Sequence, residues 1–187
     1  MEDLRKLLVI SKEANENEVK EIFKLLSEKL LKDYSIVKGK ERYRFLEIEF
    51  YFYNKYHKDV SVYRRTIQAG KWYIHLSGVD ISFESCYVSK EFSENYYGGI
   101  LIRSIQNMQY DSIVNGPLCC LIELFQNIDI NGNSENTPRI EKYKQENIDI
   151  KTLCRYGIKS NLKYCYYNAS PDLKWKSNYK ANPLKRI

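Results

Sequence analysis

No run of this sequence is long and apolar enough to cross a bilayer, and Met1-Glu2-Asp3 lacks the basic-then-apolar opening of a signal peptide. The expectation is an intracellular protein, cytoplasmic or in the nucleoid or nucleus, with no membrane partner. None of the five cysteines, Cys86, Cys119, Cys120, Cys154 and Cys165, stands in a C-x-x-C pair, and their odd number argues against both zinc ligation and a disulfide framework. They read as reduced thiols, and no metal or other cofactor is expected. The G-x-G-x-x-G spacing of a phosphate loop is absent, since Gly98-Gly99 leads straight into an apolar run. No internal repeat and no linker divides the chain. Only 4 prolines and 8 glycines, beside abundant Lys, Asn, Ile and Tyr, fit an AT-rich coding sequence, so composition is weighted lightly.

What is present bounds the class. At 187 residues the chain can bury a core without staples and fits one domain, residues 1–187, with a basic carboxy-terminal segment from about residue 168. An apolar fraction of 43% against 29% charged suits a soluble globular protein, taken as a monomer. Tyrosine is unusually common, 17 against 7 Phe and 2 Trp, which supplies many rings with a polar tip. The net charge of +6 is unevenly placed: from Lys151 onward there are nine basic residues and one acid, Asp172. Basic residues interleaved with Tyr164, Tyr166, Tyr167, Trp175 and Tyr179 suit a phosphate backbone, and the plain alternative is a solvated Lys-rich tail.

The stretch from Tyr43 to Tyr53 carries the strongest pattern. At the two-residue period of a strand, Leu46, Ile48, Phe50 and Phe52 share one face, and Glu47, Glu49, Tyr51 and Tyr53 the other. A second strand-like run, Trp72 to Leu76, alternates Trp72, Ile74 and Leu76 with Tyr73 and His75. Both histidines of the chain, His57 and His75, fall in this window. Carboxylate, imidazole and aromatic rings on the polar faces of neighbouring strands are ingredients of a pocket for a flat, cationic ring with an acid/base group at its edge. The plain alternative for the two glutamates is a solvent-facing strand surface.

Around this centre the spacing predicts a short helix or arm over Leu4–Ile10, a capping loop over Ser11–Glu18 and an amphipathic helix over Glu18–Leu31. A strand follows over Asp33–Val37, and Asn54 to Gln68 reads as a long loop of the kind that carries function. Gly78 allows a turn into the strand Val79–Phe83, Cys86–Ser89 adds another, and Ile100–Ile105 is an apolar strand whose Arg103 needs a carboxylate partner such as Glu49 or Glu47. Pro117 opens a helix over Leu118–Gln126. Asp129–Thr137 reads as a flexible loop, Ile148–Tyr156 as a helix and Leu162–Tyr167 as a last strand.

In their order these features resemble the methylpurine (alkyladenine) DNA glycosylase family over Val19 to Tyr167. Glu47-Ile48-Glu49-Phe50-Tyr51 looks like that family's E-T-E-A-Y strand, and His57 follows as its pocket histidine does, though closer to the glutamate. Ala69-Gly70-Lys71-Trp72-Tyr73-Ile74-His75 resembles its P-G-x-x-Y-x-Y strand, and Ile100-Leu101-Ile102-Arg103-Ser104-Ile105 its V-L-L-R-A-L. Gly116-Pro117 is similar to its G-P before a helix, and Thr137-Pro138-Arg139-Ile140 to its late P-R-I or P-R-V. The resemblance implies an α+β fold with a strongly curved, mainly antiparallel sheet flanked by helices, and a pocket for a base flipped out of DNA. It implies Glu49 as general base for the attacking water and Arg103 as the residue that helps hold that water. Tyr51, His57, Tyr73 and His75 would enclose the base and Arg64 and Arg65 would meet nucleic acid, to which the charge of the carboxy-terminal segment adds Lys174 and Lys176. The chain departs from the family at the wedge that fills the gap in the duplex, where the short Ser77 stands, and in a reduced basic loop.

Three functions follow as expectations. The first is a DNA N-glycosylase for alkylated or damaged purines, in which a carboxylate beside the sugar supports an oxocarbenium-like state. The second keeps that chemistry on RNA or a free nucleoside or nucleotide. The third is a binding module in which Glu49 is salt-bridged to Arg103 with no open water site. An open, aromatic-lined cavity beside Glu49 separates the enzymes from the third.

Overall fold

In the computed structural model, which describes residues 2–128, 135–155, 163–170, 173 and 175, the alternation around Glu47 and Glu49 becomes the long strand β2 (Glu41–Tyr53). It pairs along its length with β5 (Tyr97–Asn107). Its other edge is shared: β1 (Tyr34–Lys38) lies opposite residues 41–44, and β9 (Cys165–Asn168) opposite residues 47–49. The far edge of β5 is divided likewise between β4 (Gly78–Ser82) and β6 (Ile113–Asn115). With β3 (Trp72–His75) beside β4, β7 (Arg139–Lys142) beside β1 and β8 (Ile150–Leu153) beside β9, the described residues form one curled nine-stranded sheet. Every pairing between these strands is antiparallel, and with the helices the fold is α+β.

Helix α2 (Glu16–Asp33) begins where its cap is built. Asn15 Oδ1 accepts from the backbone N–H of Asn17 and Glu18, and Glu18 Oε2 accepts from that of Asn15 at 2.8 Å. Its three- and four-residue spacing buries Val19, Phe23, Leu26 and Leu30. The Phe23 ring lies 4.7 Å from Phe50, 5.9 Å from Phe83 and 5.0 Å from Tyr164, centroid to centroid. Each such ring or branched side chain contributes about 1.5–3 kcal/mol on burial. Leu4 of α1 (Glu2–Leu7) joins the same core. On the opposite face of β2 lies α3 (Pro117–Phe125), which follows Gly116 at φ +106° with Pro117 in its first turn. Tyr43 Oη sits 2.8 Å from Glu123 of this helix, so the odd-numbered side of β2 is covered at this end, whereas Tyr51 and Tyr53 at the other end are half-buried.

Several sequence expectations are corrected. The span Ile148–Tyr156, expected as a helix, contains the strand β8, in which Ile150 and Thr152 favour extended backbone and β9 supplies the partner; residue 156 lies outside the described residues. Cys86–Ser89 forms no strand, only an isolated bridge between Cys86 and Tyr96. β3 stops at His75, because Leu76 and Ser77 are the two-residue turn of a hairpin that Gly78 re-enters. Most of the span 129–137, and residue 162 before the last strand, lie outside the described residues.

The glycine pair is also placed differently. Gly98 and Gly99 lie inside β5 rather than ahead of it. A Cβ on Gly98 would stand 2.3 Å from the carbonyl oxygen of Tyr51 and 2.9 Å from Cα of Phe52, so only glycine lets β5 approach β2 here. Gly98→Ala is therefore expected to destabilise the protein by about 1–3 kcal/mol, the range for overpacking a filled interior. Urea unfolding checks this, and an unchanged midpoint would show that the two strands have slack.

Candidate functional site

Alternation along β2 carries Glu47, Glu49 and Tyr51 to the face opposite Phe50 and Phe52. That face is not solvated: Glu47 is 1% exposed and Glu49 0%. The solvent-facing alternative for these two residues is thereby excluded. Two carboxylates reach such a position only with a cation, and Arg103 of β5 supplies it. Its Nε donates to Glu47 Oε1 at 2.8 Å and its Nη1 to Glu49 Oε2 at 2.7 Å. The other oxygen of Glu49, Oε1, accepts from the Tyr51 hydroxyl at 2.6 Å. Cys165 of β9 places its thiol 3.3 Å from Glu47 Oε1.

Burial raises the Glu49 carboxyl above the ordinary carboxylate range, against the opposing pull of Arg103 and the Tyr51 hydrogen bond. Burial, reinforced by Glu49, also pushes the Tyr51 phenol well up. A thiol shut in beside Glu47 rises for the same two reasons, which keeps Cys165 protonated and unreactive.

A second buried cation stands next to this group. Arg155, counted from the sequence among the basic residues of the tail, is instead interior and grips Asp59 through Nη1 and Nη2. Its guanidinium lies 4.8 Å from the centre of the Tyr51 ring and 5.4 Å from that of Tyr164. It also donates to the Phe50 carbonyl at 3.3 Å, so it ties the loop after β2 to the strand itself.

On the outer side of Tyr51 lies a cavity of about 200 Å³, walled by Tyr51, Ser61, Tyr63, Arg65, His75 and Asp80, with Leu101 and Val62 supplying apolar surface. Asp80 is its buried anchor. His75 Nε2 lies 3.0 Å from Asp80 Oδ1, and Arg65 Nη1 lies 2.7 Å from Oδ2, an ion pair whose angle is poor for a hydrogen bond. The Arg65 guanidinium stacks 4.1 Å from the centre of the Tyr73 ring, and the Tyr63 ring lies 4.6 Å from that of His75.

The structure brings some of the expected residues together and separates others. Tyr51 and His75 share the cavity wall, and Tyr51 is bonded to Glu49, but Glu49 does not line the cavity. Tyr73 supports Arg65 from behind. His57 is elsewhere: 4% exposed, it bonds to the Phe52 carbonyl and the Tyr164 hydroxyl among the core rings. Arg64 is exposed, with its guanidinium 5.5 Å from the Tyr87 ring centre. Arg65, expected at a nucleic-acid surface, is turned inward by Asp80. Lys174 and Lys176 lie outside the described residues. Asp80, Asp59, Ser61 and Tyr63 were not singled out from sequence, although an acid in the otherwise apolar run Val79-Asp80-Ile81 was a readable signal for the first. Among the described residues no cluster of His, Cys, Asp or Glu could hold a metal ion, and no helix is long and apolar enough to cross a membrane.

No family model, curated protein or solved structure matches the chain. Its chemistry is accordingly read from these side chains. The set holds a carboxylate with both oxygens bonded, beside a separate ring-lined cavity whose charges, Arg65 and Asp80, are paired with each other.

Two outcomes follow from the buried pair. Removing the cation in Arg103→Met leaves two carboxylates without it and is expected to lose about 3–5 kcal/mol, read by urea unfolding near neutral pH. The raised Glu49 value means that its contribution to stability is fully present below the ordinary glutamate range and is lost as pH rises through the folded-state value. Melting temperatures taken from about pH 4 to pH 8 should therefore fall relative to those of Glu49→Gln as pH rises; parallel curves would refute the assignment.

Proposed function

We propose that the protein binds a flat, nucleobase-sized ring in the cavity between Tyr51, Tyr63 and His75, and that it does so without hydrolysing a glycosidic bond. The observation that carries this is the closure of Glu49. A general base must reach the proton of a water, and here Arg103 and Tyr51 occupy one carboxylate oxygen each on a group with no exposed surface. The cavity, in contrast, reaches the exposed residues Tyr63 and Ser77 and offers rings and a few polar groups, the usual make-up of a ligand site. The source of the ring is a nucleotide or a base presented by nucleic acid, with Lys58, Arg64 and Lys71 exposed on neighbouring segments to meet phosphate.

Excision of alkylated purines from DNA is the second reading, and one observation favours it. Tyr51 both lines the cavity and bonds Glu49, so a rotation of this one side chain would join carboxylate and cavity. The Arg65 guanidinium in the wall works against the cationic rings such an enzyme prefers.

Calorimetric titration with purine, adenine and hypoxanthine, then with a single-stranded oligonucleotide over a range of salt, tests the proposal. Binding is expected, weakened roughly tenfold or more by Tyr63→Ala, since loss of one stacking ring removes about 1–3 kcal/mol. A steep salt slope with the oligonucleotide would assign the source to nucleic acid. No base should be released from duplex DNA carrying an alkylated purine. Release that disappears in Glu49→Gln would overturn the proposal in favour of the glycosylase.

A further inference from the structure

We propose that the Tyr51 and Ser61 side of the cavity selects neutral rings by their hydrogen-bond donors, an exocyclic amino group above all, because buried carboxylates have already taken the protons of those two hydroxyls. This rests on the ring-binding reading above and adds the ligand's chemical class.

A tyrosine or serine hydroxyl has one proton to give and lone pairs to receive. Tyr51 gives its proton to Glu49 Oε1 at 2.6 Å, and Ser61 gives its proton to Asp59 Oδ1 at 2.5 Å. Tyr51 cannot turn that proton to the cavity without leaving Glu49 Oε1 unsatisfied, and Ser61 would give up its short bond to Asp59 Oδ1, which also accepts the Ser61 backbone N–H and Arg155 Nη2; each carboxylate is fixed in turn, Glu49 by Arg103 and Asp59 by Arg155. A hydroxyl that donates to a carboxylate is also a better acceptor. What Tyr51 and Ser61 offer a ligand is lone pairs.

His75 adds no donor. Its Nε2 faces Asp80 Oδ1 at 3.0 Å, while Nδ1 accepts the backbone N–H of Ser77 at 3.2 Å, so the hydrogen-bond pattern assigns the ring proton to Nε2 and spends it on Asp80. The Tyr63 and Ser77 hydroxyls lie 3.1 Å apart at the mouth, where one donates to the other and a single proton stays free on exposed surface. Arg65 sets the charge class, since its guanidinium in the wall repels a cationic ring even with Asp80 beside it, and it is the donor of the wall: its Nε and Nη1 make no hydrogen bond, so a ring nitrogen belongs on its side and the amino group on the side of Tyr51 and Ser61. An amino-bearing, uncharged heteroaromatic ring such as adenine fits this inventory. A ring that presents a carbonyl at the same place meets lone pairs with lone pairs.

The test is the ratio of affinities rather than any one affinity. Purine, adenine and hypoxanthine share shape and differ at one edge: no group, an amino group, and a carbonyl beside a ring N–H. The native protein is expected to bind adenine roughly tenfold tighter than purine, the size of one or two hydrogen bonds, and tighter than hypoxanthine, whose carbonyl meets the lone pairs of Tyr51 and Ser61. Tyr51→Phe removes an acceptor and should bring adenine down toward purine while leaving purine unchanged. In Glu49→Gln the amide carbonyl keeps Arg103 and the amide N–H donates to Tyr51, which frees the Tyr51 proton for the cavity, so preference should shift toward hypoxanthine. A purely structural role for either residue would weaken all three rings alike. Equal binding of the three by the native protein overturns this inference alone, and no binding of any overturns it together with the ring-binding reading.

Discussion

The interaction on which this molecule depends is the one between Arg103 and the paired carboxylates of Glu47 and Glu49. β2 and β5 are flanked on both edges by other strands, and helices lie on both sides, so the two carboxylates are shut off from water and only Arg103 keeps a little exposed surface. The Arg103 guanidinium divides itself between two acids there, the Tyr51 proton meets the other oxygen of Glu49, and Arg155, itself bound to Asp59, stands against the Tyr51 ring. Replacing such an assembly by apolar residues is often neutral for stability, whereas removing one member is not. Its presence therefore speaks less of stability than of what the charges hold in place.

What they hold is the direction of neighbouring protons. Three carboxylates, Glu49, Asp59 and Asp80, each stand behind a side chain of the cavity wall and fix which way its hydrogen points. Two of them are braced by an arginine whose own position is set by an aromatic face: Arg155 by Tyr51 and Tyr164, Arg65 by Tyr73. The abundance of tyrosine noted in the composition thus has a local meaning. These rings have one side for a guanidinium and a hydroxyl that a carboxylate can orient.

Much of the centre was legible in the sequence because it obeys short-range rules. The two-residue alternation marked β2, the cap and three-to-four spacing marked α2, and a charge among β-branched residues announced that Arg103 must find an acid. The failures share a cause, which is that pairing across the chain overrides local pattern. Ile148–Tyr156 reads as a helix by spacing, but β9 turns part of it into a strand. Arg155 reads as one more tail cation, but Asp59, 96 residues earlier, draws it inside. His57 follows the glutamates closely, yet the chain reverses after Tyr53 and sends it to the core on the other face of the sheet. Arg65 reads as a surface cation because Asp80 is invisible as its partner until the strands are stacked.

The place of β9 sets the order in which the protein can be made. Residues 47–49 leave the ribosome well before the strand that covers their free edge, Cys165–Asn168, which begins 118 residues after Glu47. Until that segment emerges, β2 keeps an open edge at the height of its two carboxylates, and Asp59 lacks Arg155. While the residues in between are being added, the nascent chain thus holds these acids hydrated and the edge available to other strands. Closure of the interior waits for β9, so a chain released short of it carries a charged seam at the middle of its sheet.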